Sequence, residues 1–205
     1  PSIVAASMSE PFPGWIDSLG GASGIIAGFG SGALRTMQVE YDKNVDILPV
    51  DIPINLMIAV PWHLRNSPPK YDPMVFNCTT GGLNPIQWTS VEGICQHYVR
   101  QYPFEKTIWY PAGRFKKSAF VNGICHLFFH ILPALMIDLL CRMLGHKPFM
   151  LRIHEKMRKS EKAMRHFLTY QWQWSNDNML MLSKRMNPLD NQLFNVDVAR
   201  IRWDE

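Results

Sequence analysis

The chain has 205 residues, enough for one or two domains, and its 47% hydrophobic and 19% charged residues exclude intrinsic disorder as its main character. Four cysteines without a Cys-x-x-Cys spacing exclude a disulfide scaffold, a zinc ribbon and a dithiol redox motif, and predict reduced, mostly buried thiols. The net charge of +4 is unevenly distributed: residues 1–112 hold 6 Lys/Arg and 9 Asp/Glu, whereas residues 113–205 hold 15 Lys/Arg and 8 Asp/Glu. The basic second part predicts either an acidic partner or a solvated helix face.

Short strands, many turns and two helices are predicted for residues 1–112. The chain opens on a strand-like run, PSIVAAS, and we expect further sequence before it and after the final RIRWDE. Other strand-like runs occupy residues 47–50 and 74–78. One helix is predicted to start at Asp51, whose carboxylate can cap it, and another to cover TSVEGICQHYVRQYP. This alternation is typical of a doubly wound α/β sheet.

Residues 113–205 predict helices and no strand. Residues 118–137 contain no charged side chain and are long enough for a membrane span. Several residues argue against a span and favour a buried or interfacial helix: Asn122, Gly123, His126, His130, Pro133 and the following Asp138. Residues 151–175 then show helical periodicity, with an apolar face opposite Lys and Arg, which is typical of an amphipathic helix.

Three short motifs have a structural interpretation that we prefer to a catalytic or metal-binding one. The Gly28–Ala33 run matches a dinucleotide loop, but it leaves scarcely any room for the crossover helix before Tyr41, so a glycine turn is preferred. Tyr102 and Lys106 have the Tyr-x-x-x-Lys spacing, but Pro103 forbids a continuous helix there. His126 and His130 could share a helix face but lack a third metal ligand, so packed or interfacial histidines are predicted.

A series of longer blocks, in order along the whole chain, resembles the alcohol-forming fatty acyl-CoA reductases. These blocks are PSIV, EPFPGWID, LRTM, LPVDIPINLM, FNCTTGGLNPIQW, LPALMIDLLCRMLGHKP, WQWSNDN and NVDV. The resemblance implies a fold that is α/β followed by mainly α. Residues 1–112 would be the C-terminal portion of an NAD(P)-binding reductase domain, an extended short-chain-dehydrogenase-type Rossmann domain. Residues 113–205 would be the helical C-terminal (sterile) domain.

The resemblance implies reduction of a long-chain acyl-CoA to a primary fatty alcohol with two NADPH and release of CoA. In this family the cofactor loop and the catalytic Tyr-x-x-x-Lys both precede the PSIV strand, so no catalytic residue is assigned within these 205 residues. The chain alone is therefore expected to be inactive. The resemblance assigns nicotinamide contacts to Pro1, Ser2 and Val4.

The apolar loop after the first strand is expected to help form the acyl pocket. Phe12, Trp15 and Ile16 are the candidate substrate-binding residues, because a fatty chain requires apolar walls, and packing at the sheet edge is the alternative.

The expected partners are long-chain acyl-CoA and a membrane surface, with no nucleic acid and no metal. The expected location is the membrane of the endoplasmic reticulum or the peroxisome, with the reductase domain facing the cytosol. The basic second part suits CoA phosphates or anionic lipid. An alternative function is a non-catalytic membrane-docking or protein-interaction module, supported by the basic amphipathic helix beside Tyr170, Trp172 and Trp174. Nucleic-acid binding has only the pI near 9.0 in its favour.

Overall fold

The computed structural model describes residues 3–68 and 72–204. Within these residues the strands are β1 (Ile3–Ala5), β2 (Thr36–Gln38), β3 (Asn44–Val45), β4 (Ile47–Pro49), β5 (Ile86–Gln87) and β6 (Arg114–Lys116). The α-helices are α1 (Gly21–Gly30), α2 (Asp51–Arg65), α3 (Trp88–Gln101), α4 (Ala119–His126), α5 (Leu132–Met143), α6 (Met150–Thr169), α7 (Asp177–Arg185) and α8 (Pro188–Leu193). A π-helical turn, Leu127–Ile131, joins α4 to α5, and a 3-10 turn covers Val198–Arg200.

The chain forms two compact units, each built from segments that are distant in sequence. Unit 1 contains the described residues of Pro1–Asp17, Asn44–Ile86 and Gln171–Glu205. Unit 2 contains Ser18–Lys43 and Gln87–Tyr170. These units describe packing, whereas the predicted boundary between residues 112 and 113 concerns family domains and stays a prediction.

Unit 1 is held together by a cluster of buried apolar side chains from β4, α2, α7 and the last residues. Ile52, Leu56 and Ala59 recur at helical spacing and form the buried face of α2. The cluster comprises Leu48, Ile52, Leu56, Ala59, Cys78, Met179, Leu182, Met186, Val196, Val198 and Ile201. Burial raises the pKa of the Cys78 thiol to about 11, so this cysteine is an inert core residue.

Asn84 joins the glycine-rich segment of unit 1 to its C-terminal residues. Its side-chain amide donates to the carbonyl oxygens of Val198 (3.1 Å) and Ile201 (2.8 Å). The indole Nε1 of Trp203 donates to the Asn84 side-chain oxygen (2.9 Å). One asparagine therefore satisfies the backbone of a turn that has no partner strand.

The strand predicted at residues 74–78 is wrong, because side-chain amides rather than a neighbouring strand bond this segment. Asn178 Nδ2 donates to the Val75 carbonyl (2.7 Å) and Asn176 Nδ2 donates to the Thr79 carbonyl (2.8 Å). Its residue types resemble those of a strand, but its hydrogen bonds come from the C-terminal part of unit 1.

Unit 2 contains a second pair of parallel strands, β2 and β6. Thr36 pairs with Arg114, and Met37 pairs with Phe115. The expectation that residues 113–205 contain no strand is wrong at β6. Phe115 is buried between Arg114 and Lys116, which is the period-2 alternation of a short strand.

Unit 2 also contains α1, α3 and a long antiparallel helical hairpin. We call Ala119–Met143, which comprises α4, the π-helical turn and α5, the apolar helix. It runs antiparallel to α6. Asn122, near the start of the apolar helix, contacts Glu161 in the second half of α6. Asp138, near the end of the apolar helix, contacts Met150 at the start of α6, and His130 contacts His154 between them. The chain is thus a mixed α/β part followed by a mainly helical part, as predicted. The finer assignment to a short-chain-dehydrogenase Rossmann domain stays a prediction.

Candidate functional site

The carboxyl ends of β1 and β4 lie side by side in unit 1, because the two strands are parallel. Val4 pairs with Leu48, and Ala5 pairs with Pro49. A loop follows β1 and the amino end of α2 follows β4. In parallel α/β sheets this edge is where ligands bind, so it is the candidate site.

Asp51 fixes the loop at this edge. Its carboxylate accepts hydrogen bonds from the backbone N–H groups of Met8, Ser9 (3.3 Å) and Glu10 (2.8 Å), and from the Ser9 hydroxyl (3.2 Å). The sequence predicted that Asp51 caps its own helix, and this is wrong. Asp51 is the first residue of α2, and its side chain binds the preceding loop instead.

The environment keeps the Asp51 carboxylate ionised. Burial alone would raise its pKa, but the hydrogen bonds from Glu10, Met8 and Ser9 outweigh burial, and the net effect is a pKa below the ordinary value of 3.8. The carboxylate also lies in the first turn of α2, where the helix dipole favours negative charge. The loop is therefore bound to a stable anion at neutral pH.

Ser7 forms hydrogen bonds to residues farther along the same loop. Its hydroxyl donates to the Phe12 carbonyl (2.6 Å) and accepts from the Trp15 N–H (3.1 Å), and its own N–H donates to the Trp15 carbonyl (3.1 Å). With its backbone bonded internally, the loop leaves the side chains of Phe12, Trp15 and Ile16 exposed. The structure thus presents the three predicted substrate-binding residues as an apolar surface on a fixed loop; their role stays a prediction.

Of the predicted nicotinamide contacts, Pro1 and Ser2 lie outside the described residues. Val4 lies in β1 with 45% of its surface exposed, next to the candidate edge. Contact of these residues with the nicotinamide stays a prediction.

The two motifs rejected in the sequence have the structures expected of turns. Gly28 and Gly30 lie at the end of α1 rather than before a helix, and Gly32 has a φ of +72° in the turn that follows. Tyr102 follows the last residue of α3 and is exposed, so Lys106 is not one helical turn away from it. Neither arrangement has the helix geometry that the corresponding catalytic or dinucleotide motif requires.

The histidines of the apolar helix are packed within unit 2. Buried His130 accepts a hydrogen bond at Nε2 from the Arg35 N–H (2.8 Å), and its ring stacks on His154 at 5.2 Å between centroids. His126 contacts His130 edge to face at 4.8 Å. In the described part of the chain, no group of three or more His, Cys, Asp or Glu side chains is arranged to hold a metal ion.

A cleft of about 380 Å³ in unit 2 lies between the apolar helix and α6. Arg158, Lys162 and Arg165 line its α6 side together with the carboxylate of Glu161. Leu127 and Ile131 line the other side. Cations beside apolar walls suit an amphipathic anion, such as a phosphorylated lipid or acyl compound.

Sequence reasoning missed a second positioning carboxylate, Asp138 in α5. Its oxygens accept the N–H groups of Phe149 (2.9 Å), Met150 (2.8 Å) and Leu151 (3.1 Å), so it caps the amino end of α6 from another helix. A signal for it exists in the sequence. The residues before Met150 read HKPF and include no Ser, Thr, Asp or Asn, so α6 needs a cap from elsewhere.

Comparisons with known proteins match this chain at both ends and along its whole length. An NAD-binding family model described as "Male sterility protein" matches residues 1–57, and a second model with the same description, Sterile, matches residues 129–205. The chain is 36% identical to fatty acyl-CoA reductase 1 of Rattus norvegicus, 35% to fatty acyl-CoA reductase 2 of Mus musculus and 34% to fatty acyl-CoA reductase 1 of Homo sapiens. Each alignment covers 100% of this chain and 40% of the relative, so the chain spans less than half the length of the curated relatives it matches. Over its whole length, the chain is thus similar to part of the fatty acyl-CoA reductases.

Proposed function

We propose that the protein to which these 205 residues belong reduces long-chain acyl-CoA to a primary fatty alcohol, with two NADPH as the hydride source and release of CoA. The observation that carries this proposal is the alignment of the whole chain, without loss of order, with fatty acyl-CoA reductases. The NAD-binding family match over residues 1–57 supports a nicotinamide cofactor. The choice of NADPH over NADH is the finer part of the proposal.

The contribution of this chain to the reaction is positional. Asp51 and Ser7 hold the loop after β1, so that Phe12, Trp15 and Ile16 can form one wall of the acyl pocket beside the nicotinamide. An apolar wall also excludes water from the intermediate aldehyde between the two reductions. The catalytic Tyr-x-x-x-Lys is assigned to sequence that precedes Pro1 in the family, so these residues bind and orient rather than transfer protons.

The test is an assay of the full-length protein with stearoyl-CoA and either NADPH or NADH, with octadecanol detected by mass spectrometry. We expect alcohol and free CoA in a 1:1 ratio, two NADPH oxidised per alcohol, and no product from the 205-residue chain alone. An inactive, folded full-length protein would overturn the proposal. Activity of the 205-residue chain would overturn the assignment of catalysis to residues outside it.

The acyl pocket is tested separately by Trp15→Ala in the full-length protein, with Trp62→Ala, an exposed tryptophan of α2, as the matched control. We expect Trp15→Ala to raise KM for stearoyl-CoA by about tenfold, the value of roughly 1.4 kcal/mol of lost apolar contact, with a smaller effect for a short acyl-CoA. Equal effects of both variants would contradict a substrate role for Trp15.

The proposed setting of the enzyme is the cytosolic face of an endoplasmic reticulum or peroxisomal membrane. A hydrophobic substrate and product, and the excess of Lys and Arg in unit 2, support a membrane-associated protein. A second candidate function, a non-catalytic membrane-docking module, is favoured by the exposed apolar helix. Vesicle binding by a full-length protein that lacks reductase activity would favour that alternative.

A further inference from the structure

The apolar helix exposes its large apolar side chains and buries polar ones, which is the reverse of the pattern in helices of soluble proteins. It has 25 residues, and in the described part of the chain it is the one helix whose length and composition would allow it to cross a membrane. Its buried residues include the polar His130 and Asp138, whereas its large apolar side chains point outwards. Phe120 and Met143, near its two ends, are 77% and 75% exposed. A helix of a soluble protein buries its apolar face instead.

Three polar side chains on one side of this helix are hydrogen-bonded within unit 2. Asn122 accepts a hydrogen bond from the Thr36 hydroxyl (2.6 Å), His130 accepts from the Arg35 N–H, and Asp138 caps α6. Rotation would break these bonds and leave buried polar atoms without partners. The exposed apolar surface is therefore a fixed feature of unit 2. A contiguous exposed apolar patch is typical of an interaction surface.

A transmembrane orientation conflicts with the antiparallel packing of α6. Helix α6 runs beside the apolar helix over nearly its whole length, with Glu161 near Asn122 and Met150 near Asp138. Exposed charged residues of α6, including Lys156 and Lys159, would then lie within the hydrocarbon core. Charges at that depth are strongly unfavourable, so the hairpin is suited to lie along a membrane and not to cross it.

The surroundings of the apolar helix favour lipid as its partner. Arg142 and Lys147 are exposed at its carboxyl end, and Arg114 is exposed before its amino end. Unit 2 as a whole holds 15 Lys/Arg and 7 Asp/Glu, a net charge of +8, against −4 for unit 1. Such a cationic rim around an apolar face matches the anionic headgroups and acyl chains of one leaflet.

An aromatic segment extends this surface beside the apolar helix. The Arg35 guanidinium lies over the Trp109 ring (5.0 Å) and over the Phe129 ring (5.4 Å), which joins residues 102–110 to the apolar helix. Trp109 and Tyr110 are themselves exposed. Tryptophan and tyrosine are enriched at the boundary between headgroups and acyl chains.

We propose that the apolar helix lies in the plane of an anionic membrane, with its exposed apolar face in one leaflet and α6 on the aqueous side. This inference deepens the proposed membrane setting of the enzyme, but it does not depend on reductase activity. It identifies which surface binds lipid and how the hairpin is oriented.

Vesicle flotation of the full-length protein tests the surface. The vesicles are pure phosphatidylcholine, or phosphatidylcholine with 30 mol% phosphatidylserine. The double variant Met136→Asp, Leu139→Asp changes exposed residues of the apolar helix, and Leu189→Asp, Leu193→Asp changes equally exposed residues of α8 as the matched control. We expect the first variant to lower partition into anionic vesicles at least about tenfold and the control to leave it unchanged, with stronger binding to anionic than to neutral vesicles.

Thermal melting and activity in detergent separate this inference from the proposed function. A variant that floats poorly but melts and reduces stearoyl-CoA in detergent like the parent supports the membrane surface. A variant that floats normally but loses solubility or activity shows that another part of the protein covers this face, which overturns the inference. An inactive parent that still binds vesicles counts against the reductase proposal alone.

Labelling of single cysteines tests the orientation. Ser118→Cys and His146→Cys place thiols at exposed positions just beyond the two ends of the apolar helix. In vesicle-bound protein both should react with an impermeant maleimide added from outside, above the background of the native cysteines. Protection of one end with reaction at the other would show a transmembrane helix and overturn the in-plane orientation.

Discussion

Asp51 illustrates how a single side chain can fix a loop. Three backbone N–H groups and one hydroxyl converge on its carboxylate, and the residues that donate them immediately precede the exposed apolar side chains of the candidate pocket. Its ionised state is favoured by those donors and by the amino end of α2. The loop and the helix are thereby coupled through this carboxylate.

Asp51→Asn should destabilise unit 1 and make its stability less dependent on acid. The amide has one acceptor oxygen instead of two, and hydrogen bonds to charged groups contribute roughly 1.5–3 kcal/mol, so a loss of about 2 kcal/mol in the free energy of unfolding is expected at pH 7. Because folding lowers the pKa of Asp51, its contribution is complete above the ordinary pKa of 3.8 and is lost as the pH falls through the folded-state pKa. Urea unfolding at pH 7, 5, 4 and 3 measures both effects.

The matched control for this experiment is Asp17→Asn, which changes an exposed carboxylate of the same unit. The control should unfold like the parent at every pH. The parent should lose more stability than Asp51→Asn between pH 5 and pH 3, so that the two curves converge in acid. Parallel curves for the parent and Asp51→Asn would contradict the role of Asp51.

At the scale of elements, α6 depends on another helix for its start. A helix leaves its first N–H groups without intrahelical partners, and α6 has no capping side chain of its own. Asp138 supplies the missing acceptor from α5. The loop from Leu144 to Phe149 therefore returns the chain to a position set by this carboxylate, and the hairpin is fixed at its closed end.

Asp138→Ala should open the first turn of α6, and Asp138→Asn should restore part of the protection. Hydrogen exchange of the Phe149, Met150 and Leu151 amides measures this directly, because these three groups donate to Asp138. We expect exchange to increase at least about tenfold in the alanine variant, while the last turn of α6 near Leu168 stays protected. Uniform loss of protection along α6 would instead indicate that Asp138 stabilises the whole helix by packing.

Local patterns predicted some elements well and failed where distant groups supply the hydrogen bonds. The helix near Asp51 was predicted from the residues at its start, and a long helix over residues 151–175 was predicted from apolar spacing. Both signals depend on neighbours in sequence, and the second helix ends earlier than predicted, at Thr169. The segment around Val75 has the residue types of a strand, and a strand was predicted there. Its hydrogen bonds and those of the adjacent Thr79 come instead from the amides of Asn178 and Asn176, about a hundred residues away. The π-helical turn within the apolar helix has no pattern in the sequence that we recognised.

The candidate site was predictable only in part. The apolar residues of the loop after β1 are visible in EPFPGWID, and the structure presents them as an exposed group. Their fixation by Asp51 was not predicted, since a carboxylate at the start of a helix is normally interpreted as that helix's own cap. Sequence patterns identify which side chains are available, but the choice of partner depends on the fold.

For the whole molecule, the order of segments in sequence does not match the order of packing. The last 35 residues contribute Met179, Leu182, Val196 and other core residues to the same cluster as α2, although more than a hundred residues separate them. Of the two segments that form unit 2, Gln87–Tyr170 lies between them in sequence, and Ser18–Lys43 precedes α2. Unit 1 therefore cannot complete its core until the C-terminal residues are available, which predicts non-local cooperativity between α2 and α7.

Leu182→Ala should reveal this cooperativity. The side chain is fully buried, and its truncation is expected to cost about 2–5 kcal/mol of stability. Hydrogen exchange should increase in α7 and equally in α2, through the shared core with Leu56 and Ala59, but not in the Asp138-capped start of α6. Leu168 is a buried leucine of unit 2, and Leu168→Ala should increase exchange in α6 while leaving α2 and α7 unchanged. If Leu182→Ala left the exchange of α2 unchanged, the C-terminal residues would not be part of the unit 1 core.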